Sequence, residues 1–204
     1  MLELLHRIEG IKVNAAVLPC CCTPLFAAAE RDRFECVARL LAEPGIEVNQ
    51  ADKDGCTPLF VACQDDHVHS VKLLLADERG HVNQATRDDA TSNIGDRGQW
   101  IGGEHPFASV TPLRIAAQKG HLEVVRVLVE QDGIDLDKAG NTQGKIGFLT
   151  PLQAARAYAG DNADSIVEVL LAAGAKDDDA AAASAAGVDV DKTIDDDKEA
   201  GTDE

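Results

Sequence analysis

The sequence predicts an all-α solenoid of helix-turn-helix units, joined by hairpin or finger loops and followed by a disordered acidic C-terminal tail. Thr-Pro-Leu occurs four times, beginning at Thr23, Thr57, Thr111 and Thr150, and a Val/Leu stripe follows each at a nearly fixed distance. Of the 204 residues 45% are apolar but only 3% aromatic. The core must therefore be packed from Ala, Leu, Val and Ile, which favours helices approaching closely through small side chains.

The four copies are separated by 34, 54 and 39 residues, and the unequal spacing hides a regular unit. Counting 14, 17 and 18 residues on from each Thr reaches Val37, Leu40 and Leu41, then Val71, Leu74 and Leu75, then Val125, Leu128 and Val129. In the fourth copy three extra residues shift the set to Val167, Leu170 and Leu171. Eight residues past the last apolar position stand Asn49, Asn83 and Asp137, so the insertions that upset the spacing all fall between this position and the next Thr.

Each unit also reads as structure. Thr before Pro signals a helix N-cap and first turn. The small apolar runs Leu25 to Ala29, Leu59 to Cys63, Leu113 to Ala117 and Leu152 to Ala155 predict short inner helices, and the Val/Leu stripes predict amphipathic second helices. Gly45, Gly80, Gly133 and Gly174 follow the second helices, where a left-handed cap suits glycine, and Asp54-Gly55 marks a tight turn.

With these residues placed, the chain resembles the ankyrin repeat family. The resemblance rests on Asp54-Gly55-Cys56-Thr57-Pro58-Leu59, on the run from Thr111-Pro112-Leu113 through Gly120-His121 to Val125, and on Val48-Asn49. It departs at the family's His after Thr-Pro-Leu, here Phe26, Phe60, Arg114 and Gln153. The family's Gly-His between the helices survives only as Gly120-His121, with Asp32-Arg33 and Asp66-His67 in the first two copies. These substitutions are expected to weaken local hydrogen bonding more than the fold.

The expected organisation is a repeat domain over 1–176 and an acidic tail over 177–204. The repeat domain divides into a half repeat at 1–14 and full repeats at about 15–49, 50–83, 104–137 and 143–176, with a finger insertion at 86–110. The half repeat follows from the parallel between Leu4-Leu5 to Asn14 and Leu40-Leu41 to Asn49. It implies a truncated product or an unusual cap, because a solenoid end exposes apolar faces. The tail carries 11 acids and 2 bases and too little apolar surface to offset the entropy of ordering.

Charge and motifs exclude several functions. A formal net charge of −17 opposes docking on nucleic acid or anionic membranes. No apolar run approaches a membrane span and the N-terminus lacks the order of a secretory signal, which predicts an intracellular, cytoplasmic location with the nucleus left open. Gly140 to Ile146 is too short for a phosphate loop and has Ile where Ser or Thr must reach magnesium. No nucleophile motif occurs, so neither catalytic residue nor cofactor is expected.

Cys56, Cys63, His67 and His69 are the best metal candidates, since Cys63 and His67 stand about one helical turn apart. The plainer reading is preferred: Cys63 replaces Ala29 and Ala117, Cys36 replaces Val124, and both are expected to be buried reduced thiols without metal. Cys20-Cys21-Cys22 is expected in a partly exposed turn.

The resemblance implies a protein partner gripped by the concave face, through hairpin tips and residues late in the inner helices. Carried over, these are Glu30 and Arg31, Gln64 and Asp65, Gln118 and Lys119, Ala157 and Tyr158, with Tyr158 and Arg31 the strongest by residue type. Trp100 and Phe107 in the insertion are further candidates, because a Trp in a polar, Gly-rich loop either folds back or meets a partner. Two readings follow: a monomeric, non-catalytic protein-protein interaction module, or a regulatory or targeting fragment of a larger enzyme or scaffold.

Overall fold

The computed structural model describes residues 12–87, 109–142 and 145–177. The expectations for residues 1–11, for residues 88–108 of the 86–110 insertion with Trp100 and Phe107, and for the tail after Asp177 lie outside the described residues.

Four helix pairs follow one another: α1 (Pro24–Glu30) with α2 (Phe34–Leu41), α3 (Pro58–Gln64) with α4 (Val68–Leu75), α5 (Pro112–Lys119) with α6 (Leu122–Val129), and α7 (Pro151–Tyr158) with α8 (Ala163–Ala172). The inner helices α1, α3, α5 and α7 stack in order, the outer helices stack beside them, and each pair packs on its neighbours. This is the all-α solenoid expected. The three extra residues of the fourth unit form a 3-10 turn, Gly160–Asn162, before α8.

Each inner helix starts where the sequence signals it. The side chains of Thr23, Thr57 and Thr111 accept the backbone N–H of Phe26, Phe60 and Arg114 at 3.1, 3.1 and 3.3 Å. Thr150 accepts that of Gln153 at 3.3 Å, and Gln153 returns its side-chain oxygen to the Thr150 N–H at 3.1 Å, a capping box. Proline at the first helical position removes a donor that would have no intrahelical partner.

The core runs unbroken through the stack. Leu25, Phe26, Leu59, Phe60, Leu113, Ile115 and Leu152 come from the inner helices, and Val37, Leu74, Leu128, Ile166 and Leu170 from the outer ones. Ala29, Ala62, Ala116, Ala117, Ala154 and Ala155 are fully buried, and their size lets the inner helices approach closely.

A polar ladder ties each unit to the next. Asn14 Nδ2 donates to the Gly45 carbonyl at 2.8 Å while its Oδ1 accepts from Glu47 N at 3.0 Å. Asn49 repeats this with the Arg79 carbonyl and His81 N at 2.6 and 2.8 Å, and Asn83 with the Gly133 carbonyl and Asp135 N at 2.7 and 2.9 Å. Asp137 has no amide to donate, so it only accepts, from Lys176 N at 2.9 Å. The fixed distance of Asn49, Asn83 and Asp137 from the apolar stripe before them thus sets the rungs.

The fingers also join in sequence, Lys53 N to the Cys20 carbonyl at 3.1 Å and Arg87 N to the Asp54 carbonyl at 3.3 Å. The ends of the long insertion are tied together: Thr86 N donates to the Val110 carbonyl, and Val110 N to Thr86 Oγ1, both at 3.1 Å. Twenty extra residues therefore leave the stack intact, because closing a longer loop costs only slightly more entropy.

Three local expectations change. Gly45, Gly133 and Gly174 are left-handed, with φ of +79°, +75° and +101°, but Gly80 is not. It is one residue out of frame: the position four beyond Leu75, matching Gly45 and Gly133, is Arg79. Cys36 is only half-buried, whereas its counterparts Ser70 and Val124 are fully buried. Among the described residues no outer helix precedes α2 to cover it. Finally, Gly140–Thr142 and Lys145–Leu149 form an antiparallel hairpin, β1 and β2, pairing Gly140 with Leu149. Its strands are too short to show an alternation in the sequence.

Three outcomes follow. Thr111→Ala is expected to lower unfolding free energy by about 1 kcal/mol in urea titration, with Thr111→Ser close to wild type, since the buried cap alone is removed. Cys36 is expected to alkylate well before Cys63, read by mass spectrometry of peptides. Burial pushes the Cys63 thiol up from its ordinary 9.0. The folded chain then keeps a proton that the unfolded chain releases, so stability falls as pH rises above 9, by up to about 1.4 kcal/mol per pH unit. Cys63→Ala should remove that part of the slope.

Candidate functional site

The chain leaves every inner helix through a sharp turn that fixes the residues carried there. In the first three units the turn is made by a left-handed residue, Asp32 at φ 49°, Asp66 at φ 62° and Gly120 at φ 80°. Aspartate tolerates this region better than most side chains, which is why Asp substitutes for Gly in the first two units. Asp32 also accepts a hydrogen bond from Ser70 Oγ of the next unit at 2.9 Å.

The next outer helix pins the end of the preceding inner helix. His67 Nε2 lies 2.9 Å from the Glu30 carbonyl, and His121 Nε2 lies 2.9 Å from the Gln64 carbonyl. A carbonyl only accepts, so in both histidines Nε2 carries the proton. Asn162 Nδ2 serves the Gly120 carbonyl in the same way at 2.8 Å. Local hydrogen bonding is therefore kept in the second unit despite the loss of Gly: His67 does there what His121 does in the third.

These constraints bring most of the expected site residues into one series. Glu30, Gln64 and Gln118 are half-buried, and the residues after them, Arg31, Asp65 and Lys119, are exposed. Ala157 and Tyr158 occupy the same places on α7, with Tyr158 41% exposed. The series mixes charges: Arg31 and Lys119 against Glu30 and Asp65, the last also accepting from Gln64 Nε2 at 3.3 Å.

Two features escape a reading of the sequence. Val17 and Leu18, at the first finger, are 65% and 80% exposed, an apolar tip signalled only by two aliphatics before a proline. Arg114 is completely buried between the start of α5 and the end of β2. Its Nε donates to the Leu149 carbonyl at 3.1 Å and its Nη1 to Gln118 Oε1 at 2.8 Å, while Nη2 has no partner among the described residues. Burial lowers its pKa to about 10, against a smaller raising effect of Tyr158. The available signal was a lone cation inside the apolar run of α5.

The candidate metal ligands are dispersed. Cys63 faces the core, His67 binds the Glu30 carbonyl, and the His69 ring packs on Phe34 with centroids 5.5 Å apart. Among the described residues no three His, Cys, Asp or Glu side chains gather to hold a metal. In the Cys20-Cys21-Cys22 turn the first two thiols are half-buried and Cys22 is buried.

A profile of three ankyrin repeats matches residues 1–86, and a single ankyrin repeat profile matches residues 110–141. Together they span more than half of the chain. The protein belongs to the ankyrin repeat family. No curated protein matches it. Ankyrin repeats are in general protein-protein interaction modules and typically non-catalytic. The unit formed by α7 and α8 lies beyond both matched segments but repeats the Thr cap and the stacking of the others. No helix among the described residues is long and apolar enough to cross a membrane.

The turn at Gly120 gives a direct test of how the ankyrin stack holds this series. A Cβ there would lie 2.6 Å from the Ala159 carbonyl oxygen of the next unit, at a left-handed φ of +80°. Gly120→Ala is expected to destabilise by more than about 1 kcal/mol in chemical denaturation, since strain and backbone overlap add.

Proposed function

We propose that this chain is a non-catalytic interaction module that grips a partner protein across its concave face and finger loops. The observation that carries the reading is the series of inner-helix ends. Glu30 and Arg31, Gln64 and Asp65, and Gln118 and Lys119 reach solvent where the backbone is held by the next unit, and Tyr158 continues the series on α7. Such residues are already positioned, so binding orders little backbone and loses little entropy. Tyr158 adds a large amphipathic surface and Arg31 a planar cation, the residue types that dominate interface energies. The exposed Val17 and Leu18 add an apolar finger tip before α1. Trp100 and Phe107 in the insertion belong to the same proposal as a further finger.

The test is capture of a partner from native lysate followed by affinity measurement with purified components. Tyr158→Ala and Arg31→Ala are expected to weaken binding by roughly 2 kcal/mol each, with the melting temperature unchanged. Trp100→Ala measures the contribution of the insertion in the same assay. Loss of capture in Trp100→Ala alone, with Tyr158→Ala and Arg31→Ala binding normally, would move the site off the inner-helix ends.

A further inference from the structure

We propose that Arg114 reads a carboxylate, the side chain of an aspartate or glutamate on an extended partner segment that crosses the ends of α5 and α7. The inference rests on the interaction reading above and gives it a ligand chemistry.

Arg114 is the largest fully buried side chain among the described residues, and a buried guanidinium requires acceptors for its N–H groups. It has two, both neutral: the Leu149 carbonyl and Gln118 Oε1. Nη2 has none, and no described acid forms an ion pair with it, in a chain that carries 36 acidic residues. A purely structural strap to the Leu149 carbonyl would need only Nε. The remaining fork, Nη1 and Nη2, is the part that matches a carboxylate.

The surroundings fit such a ligand. Gln118 holds Nη1 and is itself half-buried, so the acceptor on the guanidinium belongs to a side chain that reaches solvent. With that side chain turned outward, Nη1 is freed for an incoming acceptor, and Nη2 is its partner in the fork. A carboxylate taking its place exchanges a neutral acceptor for a charged one and can satisfy both nitrogens. Lys119, exposed beside Gln118, adds positive charge at the entrance, and Tyr158 of α7 is close enough to Arg114 to act on its charge. Desolvation strengthens the pairing for a ligand that arrives with its own counter-charge.

The experiment is selection of a random peptide library on the immobilised full chain. Enriched peptides are expected to share an Asp or Glu at one fixed position. Replacing that acid by its amide should weaken binding to the wild-type chain by about tenfold or more, yet change binding to Arg114→Gln by less than about twofold. Gln118→Ala keeps the arginine and removes its competitor. It should raise the preference for the acidic over the amide peptide several-fold, whatever it does to both together, which tests the idea even if Arg114→Gln fails to fold.

Enriched peptides with no fixed acid, still weakened by Tyr158→Ala, would overturn the carboxylate reading and leave the interaction face standing. An acid preference abolished by Lys119→Gln but kept by Arg114→Gln would overturn it too. So would the absence of any enriched peptide, while the interaction reading then depends on the capture experiment alone.

Discussion

No helix among the described residues is long enough to persist alone. The inner helices have 7 or 8 residues and the outer ones 8 to 10, well below the length at which an isolated helix is stable in water. Each exists because its apolar side is covered by the unit before or after it. Everything else depends on that mutual covering. It demands small residues where inner helices meet, supplied by Ala29, Ala62, Ala116 and Ala155, and it confines insertions to the connections, where no helix face is interrupted: the long ones to the finger end, three residues to the turn Gly160–Asn162.

Apolar stacking leaves the helix pairs free to slide, since it has no direction. Direction comes from polar groups that reach from one unit to the backbone of the next. Asn14, Asn49 and Asn83 each use a donor and an acceptor on a neighbouring loop, so a shift of one residue would break two hydrogen bonds at once. His67 and His121 do the same at the other end of the helices. The outcome is a rigid series of inner-helix ends, and rigidity is what a preformed binding face needs.

Most of this architecture was legible because it repeats. Thr-Pro-Leu fixed the starts of four inner helices, the Val/Leu stripe fixed the outer ones, and the Asn or Asp eight residues past the stripe marked the rungs of the ladder. What was not legible is where one unit differs from its sisters in neighbours. Cys36 matches Val124 in position but has no outer helix before it. Gly80 resembles a cap by its neighbourhood, yet the frame puts Arg79 there. Asp66-His67 reads as a degraded Gly-His, but the aspartate takes up the left-handed turn and the histidine keeps its bond to the carbonyl of Glu30.

The candidate site divides along the same line. The sequence by itself determined which residues end the inner helices, because their distance from each Thr cap is set by helix length, a local property. It also determined the family, through motifs whose chemistry is that of caps and turns. Only the tertiary structure decided the state of Arg114. Its position on α5 is local, but its burial, its bond to the Leu149 carbonyl and its unpartnered Nη2 are created by β2 and α7, some 35 residues further along the chain. Periodicity reports which face a residue occupies within its own unit. Whether a buried charge finds enough acceptors depends on what the next unit brings against that face.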